Sequence, residues 1–319
     1  MIDLCSPLVS GWFSGRYGAP TEPQVRAWPI VRSGRDVLVS APTGSGKTLA
    51  AFTMALDELV SLASAGPLPD ETLVVYVSPL KALTNDVRKN LETPLAELLA
   101  LAAEQGVGLA PIRTAVRTGD TTPAERARML RKPPHVLVTT PESLFILLTA
   151  EKSRALLGRV RTVIVDEIHA LAADKRGAHL ALTLARLDEH VTRSGNAKPQ
   201  RIGLSATIRP LEDVARFLSP AAPGPAIVDV GHRRAMTLAV EVPPDELGPV
   251  ASSELWGDVY DRVAALIEAH ATTLVFVGTR RMSERVAFAL ATRLGDSAVL
   301  PHHGSLSREI RFATEHRLK

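Results

Sequence analysis

Apolar residues fall along the chain in two alternating textures. Short runs that are apolar at nearly every position are separated by longer stretches, such as "GKTLAAFTMALDELVSLA" and "RGAHLALTLARLDEH", with apolar residues every third or fourth position. The first texture fits a strand covered on both faces, and the second fits a helix that buries one stripe. Parallel strands need a crossover between them and helices over both faces, so the alternation predicts a parallel α/β sheet. The expected strands are Asp36–Ser40, Leu73–Ser78, Arg113–Val116, His135–Thr140, Thr162–Glu167 and Arg201–Thr207.

This pattern defines a first domain over residues 1–225. After Phe217 the texture changes to "LSPAAPGPAIVDVGHRRAMTLAVEVPPDELGP", whose Pro and Gly predict a connector over 226–254. A second α/β pattern occupies 255–319, with a helix from Trp256 to His270, strand "TTLVFVG", helix "RRMSERVAFALATRL", strand "SAVL" and a last helix. Ser307 is the expected N-cap of that helix, and Glu309 suits the positive end of its dipole. Two strands are too few for a covered parallel sheet, so this unit is expected to be an incomplete domain, cut short at its C-terminus.

Composition narrows the class. At 319 residues and 45% hydrophobic content the chain can bury substantial cores. Its single cysteine, Cys5, excludes a disulfide framework or a cysteine zinc site. The N-terminus lacks a basic run before an apolar stretch, and nowhere do 18 apolar residues run uninterrupted, so neither a signal peptide nor a membrane span is expected. The expected location is cytoplasmic. Net charge is only +3, yet Arg113–Lys132 and Thr279–Lys319 each carry +4, leaving −5 elsewhere. Concentrated basic surface suits a polyanion held along one face; ordinary solvated helix faces are the alternative.

Candidate chemistry begins at "APTGSGKT" (Ala41–Thr48), which leaves a strand and opens a helix. In that context Thr43, Gly44, Ser45 and Gly46 bring backbone amides to phosphate oxygens. Lys47 reaches the β- and γ-phosphates, and the Thr48 hydroxyl can ligate Mg²⁺. Ala41 stands where the general pattern has its first Gly; a small residue there is common in nucleic-acid motors. "VIVDEIH" places Asp166 and Glu167 at a strand end, the first suited to hold Mg²⁺ and the second to deprotonate an attacking water. His169 lies where it could sense a γ-phosphate, although a lone His is more often structural. "LDEH" at Leu187–His190 lies in a helical pattern and reads as a solvated face. "SAT" supplies Ser205 and Thr207 at another strand end, the edge at which open α/β sheets bind ligands.

Three more strand-to-helix junctions share one logic: "SPLKAL", "RTGDTTPAER" and "TTPESL". Their free amides and hydroxyl caps can seat phosphates, so Ser78, Lys81, Arg117, Thr118, Gly119, Thr139 and Thr140 are candidates for a row tracking a nucleic-acid backbone without reading bases. Ordinary capping is the alternative for each alone. Gln24 in "TEPQ" could read an adenine edge, although surface glutamines are common. The pair His302–His303 lacks a Cys or carboxylate at ligand spacing, so a metal is not expected there.

In this order, residues 41–48, 78–83, 117–121, 139–144, 166–169 and 205–207 resemble superfamily-2 helicases of the DExH type. "WFSGRYGAPTEPQ", "DEIHALAADKRGAHLALTLARL", "TTLVFVGTRRMSERVA" and "HHGSLSRE" resemble more narrowly the large helicase-related (Lhr) family. The resemblance implies two RecA-like domains with ATP in their cleft and 3′→5′ translocation on single-stranded DNA. It also implies unwinding of DNA or RNA:DNA duplexes and a DNA-repair setting. It assigns adenine to Gln24, phosphates and Mg²⁺ to Thr43–Thr48 with Asp166, catalysis to Asp166, Glu167 and Lys47, coupling to His169, Ser205 and Thr207, and nucleic-acid contact to "HHGSLSRE" through His303 and Gly304. Arg308 and Arg311 do not occupy the family's arginine-finger motif. The expectation is an ATP-dependent helicase represented by its ATP-binding motor domain; the alternative is an ATP-binding nucleic-acid clamp with little hydrolysis and no unwinding. A transporter ATPase or small-molecule kinase would share only the phosphate loop, and no "LSGGQ" occurs.

Overall fold

The computed structural model describes residues 4–79, 88–172, 174–207, 209–231, 237–243 and 253–318. The chain divides into two compact units, Met1–Ala235 and Met236–Lys319.

The first unit is a seven-stranded parallel sheet. Helices α1 (Pro7–Tyr17) and α2 (Glu22–Arg32) precede β1 (Val37–Ser40), and α3 (Lys47–Ala65) leads to β2 (Val74–Val77). Then come α4 (Thr93–Glu104), β3 (Thr114–Arg117), α5 (Pro123–Arg131), β4 (Val136–Thr139), α6 (Pro141–Thr149), β5 (Thr162–Val165), α7 (Lys175–Arg193), β6 (Gln200–Ser205), α8 (Leu211–Leu218) and β7 (Ala226–Asp229). The spatial order is β3-β4-β2-β5-β6-β1-β7. All six ladders are parallel.

Alternate strand residues enter opposite cores, as the pleat requires. Val37, Val39, Val74, Val136, Val138, Ile164 and Ile202 meet α1–α4 through Phe13, Trp28, Phe52, Leu56 and Leu98. Leu38, Val75, Val77, Leu137, Val163 and Val165 meet α6–α8 through Leu144, Leu148, Leu180, Leu184 and Leu218. Two cores on one sheet explain why the strands read as continuous apolar runs. By length and composition α3 could cross a membrane, but 67% of its apolar window is buried inside the protein, as in a core helix.

Local signals set the helix starts. Thr21 and Gln24 form a capping box on α2, and Thr122 and Glu125 form another on α5. Thr140 caps α6 by accepting the Ser143 N–H, with Pro141 at the first helical position. Gly177, in the first turn of α7, admits the short helix His169–Ala172: a Cβ there would lie 2.0 Å from the Leu171 carbonyl oxygen.

Three expectations are corrected. Ala226–Asp229 pairs with β1 in register, so the first unit runs past the expected boundary at 225 and the connector begins later. The strand was hidden because only Val228 is buried and Pro and Gly flank it. In the second unit, α9 (Ser253–Glu268), α10 (Arg280–Leu294) and α11 (Arg308–Leu318) form, but among the described residues neither "TTLVFVG" nor "SAVL" joins a ladder. A strand needs a neighbour for its backbone groups, and Phe276 is left 89% exposed. Within "LDEH", Asp188 is not on a solvated face: its carboxylate meets the buried Arg201 guanidinium at 2.6 Å and Lys198 at 3.3 Å. Burial pushes that carboxyl upward against the pull of the two cations. Ser307 does cap α11, its Oγ accepting the Ile310 N–H at 3.3 Å.

His135, at the entry to β4, is fully buried, and its Nδ1 accepts the Arg113 backbone N–H at 3.1 Å. Burial first, then the Arg113 cation, lowers its pKa from the ordinary 6.5 to about 4. Below pH 6.5 the unfolded chain therefore takes up a proton that the folded chain refuses until about pH 4, so this contribution is full above 6.5 and drains on acidification. Urea unfolding of His135→Gln should show lower stability at pH 7.5 and a loss between pH 6.5 and 5 that is smaller than wild type's by about 1.5 kcal/mol. Parallel losses would show that His135 does not carry this term.

Candidate nucleotide site and nucleic-acid edge

The phosphate loop is held at both ends. The Ala41 N–H donates to the Ser205 carbonyl at 3.1 Å, which ties the loop entry to β6. Gly44 (φ +80°) and Gly46 (φ +86°) take left-handed conformations that L side chains rarely adopt, and α3 begins at Lys47. Gly46 also lies against α2: a Cβ would sit 2.9 Å from Gln24 Nε2 and 3.1 Å from Thr21 Oγ1. Gln24 is buried, and both ends of its amide are engaged. Oε1 accepts the Thr21 N–H at 2.8 Å, and Nε2 donates to the Gly46 carbonyl at 3.3 Å. The residue expected to read adenine is thus also a brace between α2 and the loop.

Lys47 is 4% exposed and, among the described residues, makes no side-chain hydrogen bond or ion pair. Ser45 Oγ is buried without a partner as well. A buried, uncompensated ammonium is costly, and beside free loop amides it suits an anion. The loop therefore fits a phosphate group on its own chemistry.

β5 delivers the acidic pair. Asp166 N–H donates to the Val77 carbonyl at 2.8 Å, which fixes the strand exit, and Glu167 turns out of the strand with φ +48°. Such a backbone is uncommon for a non-glycine residue and marks a tight strand-to-helix turn. Asp166 Oδ1 accepts the Glu167 N–H at 2.8 Å. Asp166 Oδ2 lies 3.4 Å from Thr48 Oγ1 and accepts the Tyr76 hydroxyl proton. Two oxygen donors facing each other across β5 and α3 fit a hard divalent cation such as Mg²⁺. His169 Nδ1 accepts the Ala206 N–H at 3.2 Å, which leaves Nε2 as the protonated nitrogen, 3.3 Å from Glu167 Oε2. Glu167, His169 and the residue between Ser205 and Thr207 form one chain of contacts. Ser205 is fully buried, its hydroxyl donating to the Ala206 carbonyl at 2.8 Å, while Thr207 is exposed.

The proposed nucleic-acid row is uneven. Thr139 is fully buried and its hydroxyl donates to the Arg117 carbonyl at 2.7 Å, while Thr140 is spent on the α6 cap. Ser78 is also buried, and its N–H donates to the Thr139 carbonyl at 3.1 Å. These residues shape the edge rather than offer side chains to it. Gly119 is exposed, and the loop around it is knitted by two guanidiniums. Arg117 donates to the Thr118 carbonyl, and Arg126 to Thr121 at 2.9 Å and Gly119 at 3.2 Å. Neither forms an ion pair among the described residues; burial, then Arg126, lowers the Arg117 pKa. Lys81 lies outside the described residues. In the second unit carboxylates do reach the histidines: His303 pairs with Glu284 at 2.5 Å and His302 with Glu315 at 3.1 Å. Among the described residues no group of three or more His, Cys, Asp or Glu could hold a metal.

Sequence reasoning missed Tyr76 and Arg126. Tyr76 was legible as the one aromatic residue in an otherwise aliphatic strand, "VVYV".

A sequence profile described as DEAD/DEAH box helicase matches residues 21–214. The chain belongs to this helicase family. Within it the chain is of the Lhr type. It is 49% identical to the ATP-dependent helicase Lhr-Core of Methanothermobacter thermautotrophicus, over 99% of this chain and 37% of that protein. The structure of Mycobacterium smegmatis helicase Lhr bound to ssDNA and AMP-PNP superposes with a TM-score of 0.81 at 46% identity, covering 98% of this chain and 40% of that one. The DUF1998 helicase MrfA shares the fold at 22% identity, with a TM-score of 0.73 over 99% of this chain and 44% of its own. This chain therefore spans well under half the length of these helicases, and its sheet is the RecA-like core they share.

Gly46 gives the helicase loop a direct test. Gly46→Ala should lower affinity for a fluorescent ATP analogue roughly tenfold or more, because a Cβ adds a close contact with Gln24 to an already left-handed backbone. Gly44→Ala, strained but with nothing within 4 Å, should cost less. Equal losses would show that the α2 brace is unimportant.

Proposed function

We propose that this chain is the ATP-binding motor portion of an Lhr-type helicase that moves 3′→5′ along single-stranded DNA and separates DNA or RNA:DNA duplexes. The observation that carries the reading is the alignment of strand exits. Parallel register sets Ser40 beside Ser205 and Val77 beside Val165, so the phosphate loop, Asp166–Glu167 and Ser205–Thr207 share one edge of the sheet. The same edge continues through Arg117 beside Thr139 to the basic loop.

In this reading the loop amides and Lys47 hold the β- and γ-phosphates, and Gln24 meets the adenine edge from its place beside Gly46. Thr48 and Asp166 would hold Mg²⁺, which when bound neutralises charge on the transferred phosphoryl group. Glu167 orients and deprotonates the attacking water, its carboxylate steadied by His169 Nε2–H. Because His169 also accepts the Ala206 N–H, a shift at Glu167 is transmitted to the strand bearing Ser205 and Thr207. Arg117, Thr118 and Gly119, with the amides near Ser78, Thr139 and Thr140, seat nucleic-acid phosphates; in the second unit His303 and Gly304 are the candidates for such a contact. The cytoplasmic assignment rests on composition.

One observation favours a clamp-like behaviour for a polypeptide of these 319 residues. Among the described residues its second unit has no sheet. A finger supplied from outside the first domain is worth about 10³ to 10⁵ in rate in phosphate-loop enzymes. Residues 1–319 should therefore bind Mg-ATP and single-stranded DNA, hydrolyse ATP slowly and fail to displace a strand from a 3′-tailed duplex. DNA affinity should fall steeply between 50 and 200 mM salt, by about tenfold or more. Glu167→Gln should retain ATP-analogue binding while losing at least about 100-fold of the remaining hydrolysis. Robust unwinding by these residues alone, or a flat salt response, would refute the respective claim.

A further inference from the structure

Tyr76 lies in β2, a strand that contributes none of the residues expected to handle nucleotide, and its ring is buried at 3% exposure. The ring stacks on Phe52 of α3, the helix that opens with Lys47 and Thr48, with centroids 4.9 Å apart and planes inclined by 25°. Its hydroxyl donates to Asp166 Oδ2, the oxygen that faces Thr48 Oγ1. Tyr76 thus contacts both sides of the candidate metal site, through its ring on α3 and through its hydroxyl on the β5 carboxylate. β2 and β5 are paired in register, with Tyr76 opposite Ile164, so the sheet itself fixes this approach.

We propose that Tyr76 is a positioning residue that presets Asp166 for a divalent cation. Asp166 has two oxygens to orient. Oδ1 is occupied by the Glu167 N–H, a contact local to the turn. The Thr48 hydroxyl donates to Oδ2 only at 3.4 Å, a long contact that is given up when Thr48 ligates a cation, and without another donor the carboxylate would then rotate about its terminal torsion, which is soft and roughly two-fold. The Tyr76 hydroxyl removes that freedom by binding Oδ2, and an oxygen of a carboxylate retains lone-pair capacity after accepting one hydrogen bond. That capacity is left on the Thr48 side. Groups that orient a ligating carboxylate in this way typically change metal affinity by about 10- to 100-fold when removed. Phe at this position would preserve the ring and its stack, whereas the aliphatic residues elsewhere in β2 would supply neither.

This inference rests on the phosphate-loop reading above, and the test separates the two. Binding of a fluorescent ATP analogue is measured with EDTA and then across a Mg²⁺ titration, with Mn²⁺ electron paramagnetic resonance in the presence of AMP-PNP as a direct count of bound metal. Tyr76→Phe should bind the metal-free analogue as wild type does and stay folded with a small fall in its thermal unfolding midpoint from the lost hydrogen bond, yet require roughly tenfold more Mg²⁺ for the same enhancement and bind Mn²⁺ correspondingly more weakly. Tyr76→Leu should add a loss of thermal stability from the missing stack. Lys47→Ala is the control for the underlying reading: it should weaken analogue binding even in EDTA. A Tyr76→Phe protein with wild-type Mg²⁺ and Mn²⁺ responses overturns the positioning role while leaving the loop assignment intact. A wild-type protein that binds no analogue, or a Lys47→Ala protein that binds it unchanged, overturns both.

Discussion

Ser40 stands opposite Ser205, and Val165 opposite Gly203, in ladders that all run the same way. Parallel pairing in this register places three strand exits at one level, and the rest of the site depends on it. Ser40 and Val165 are 125 residues apart in sequence and Val165 and Ser205 are 40 apart, so no local preference could assemble them. What specifies the register is burial on both faces: a slip of one residue would exchange the α1–α4 core for the α6–α8 core at every strand position. The apolar runs that make the sheet legible are therefore also what aligns the polar residues at their ends.

At that edge the polar groups mostly engage one another. His169 takes the Ala206 N–H, Ser205 donates to the Ala206 carbonyl, and Gln24 joins Thr21 to Gly46. Buried polar groups need partners, and where these belong to different motifs, as in His169 with Ala206 and Gln24 with Gly46, satisfying them locks the motifs together. The exceptions are then informative. Lys47 and Ser45 Oγ are buried in the loop without such partners, at the place where the glycines bare the backbone. A fold that satisfies its other motif residues this fully but leaves a cation uncompensated has its chemistry concentrated at that cation.

Five of the seven strands were legible because each is buried on both sides and bounded by turn residues. The edge strand β3, half-buried at Thr114–Val116, was legible from its place between two helical stretches, whereas β7, the other edge, buries only Val228 and is flanked by Pro and Gly. The converse error arose at "TTLVFVG", where composition gives a strand but pairing requires a neighbour that the described residues do not supply. For the site, spacing and context identified the phosphate loop and the acidic pair. They could not show that the Thr139 hydroxyl is spent on Arg117, that Asp188 turns inward to Arg201, or that Tyr76 reaches Asp166, because those facts depend on which strands become neighbours.

The two places on this edge proposed to seat anions differ in their electrostatics. Lys47 is withdrawn from water and surrounded by fixed amides, so its field acts at short range and is little screened. The 118–121 loop is more open, with Arg126 exposed and Arg117 buried beneath it, and its cations are shared with backbone carbonyls. The first arrangement suits a compact, highly charged group held in one geometry. The second suits an extended polyanion met through its backbone. β2 and β4 lie between β5 and β3, so Asp166 at the exit of β5 is joined to the 118–121 loop at the exit of β3 through three parallel, hydrogen-bonded ladders.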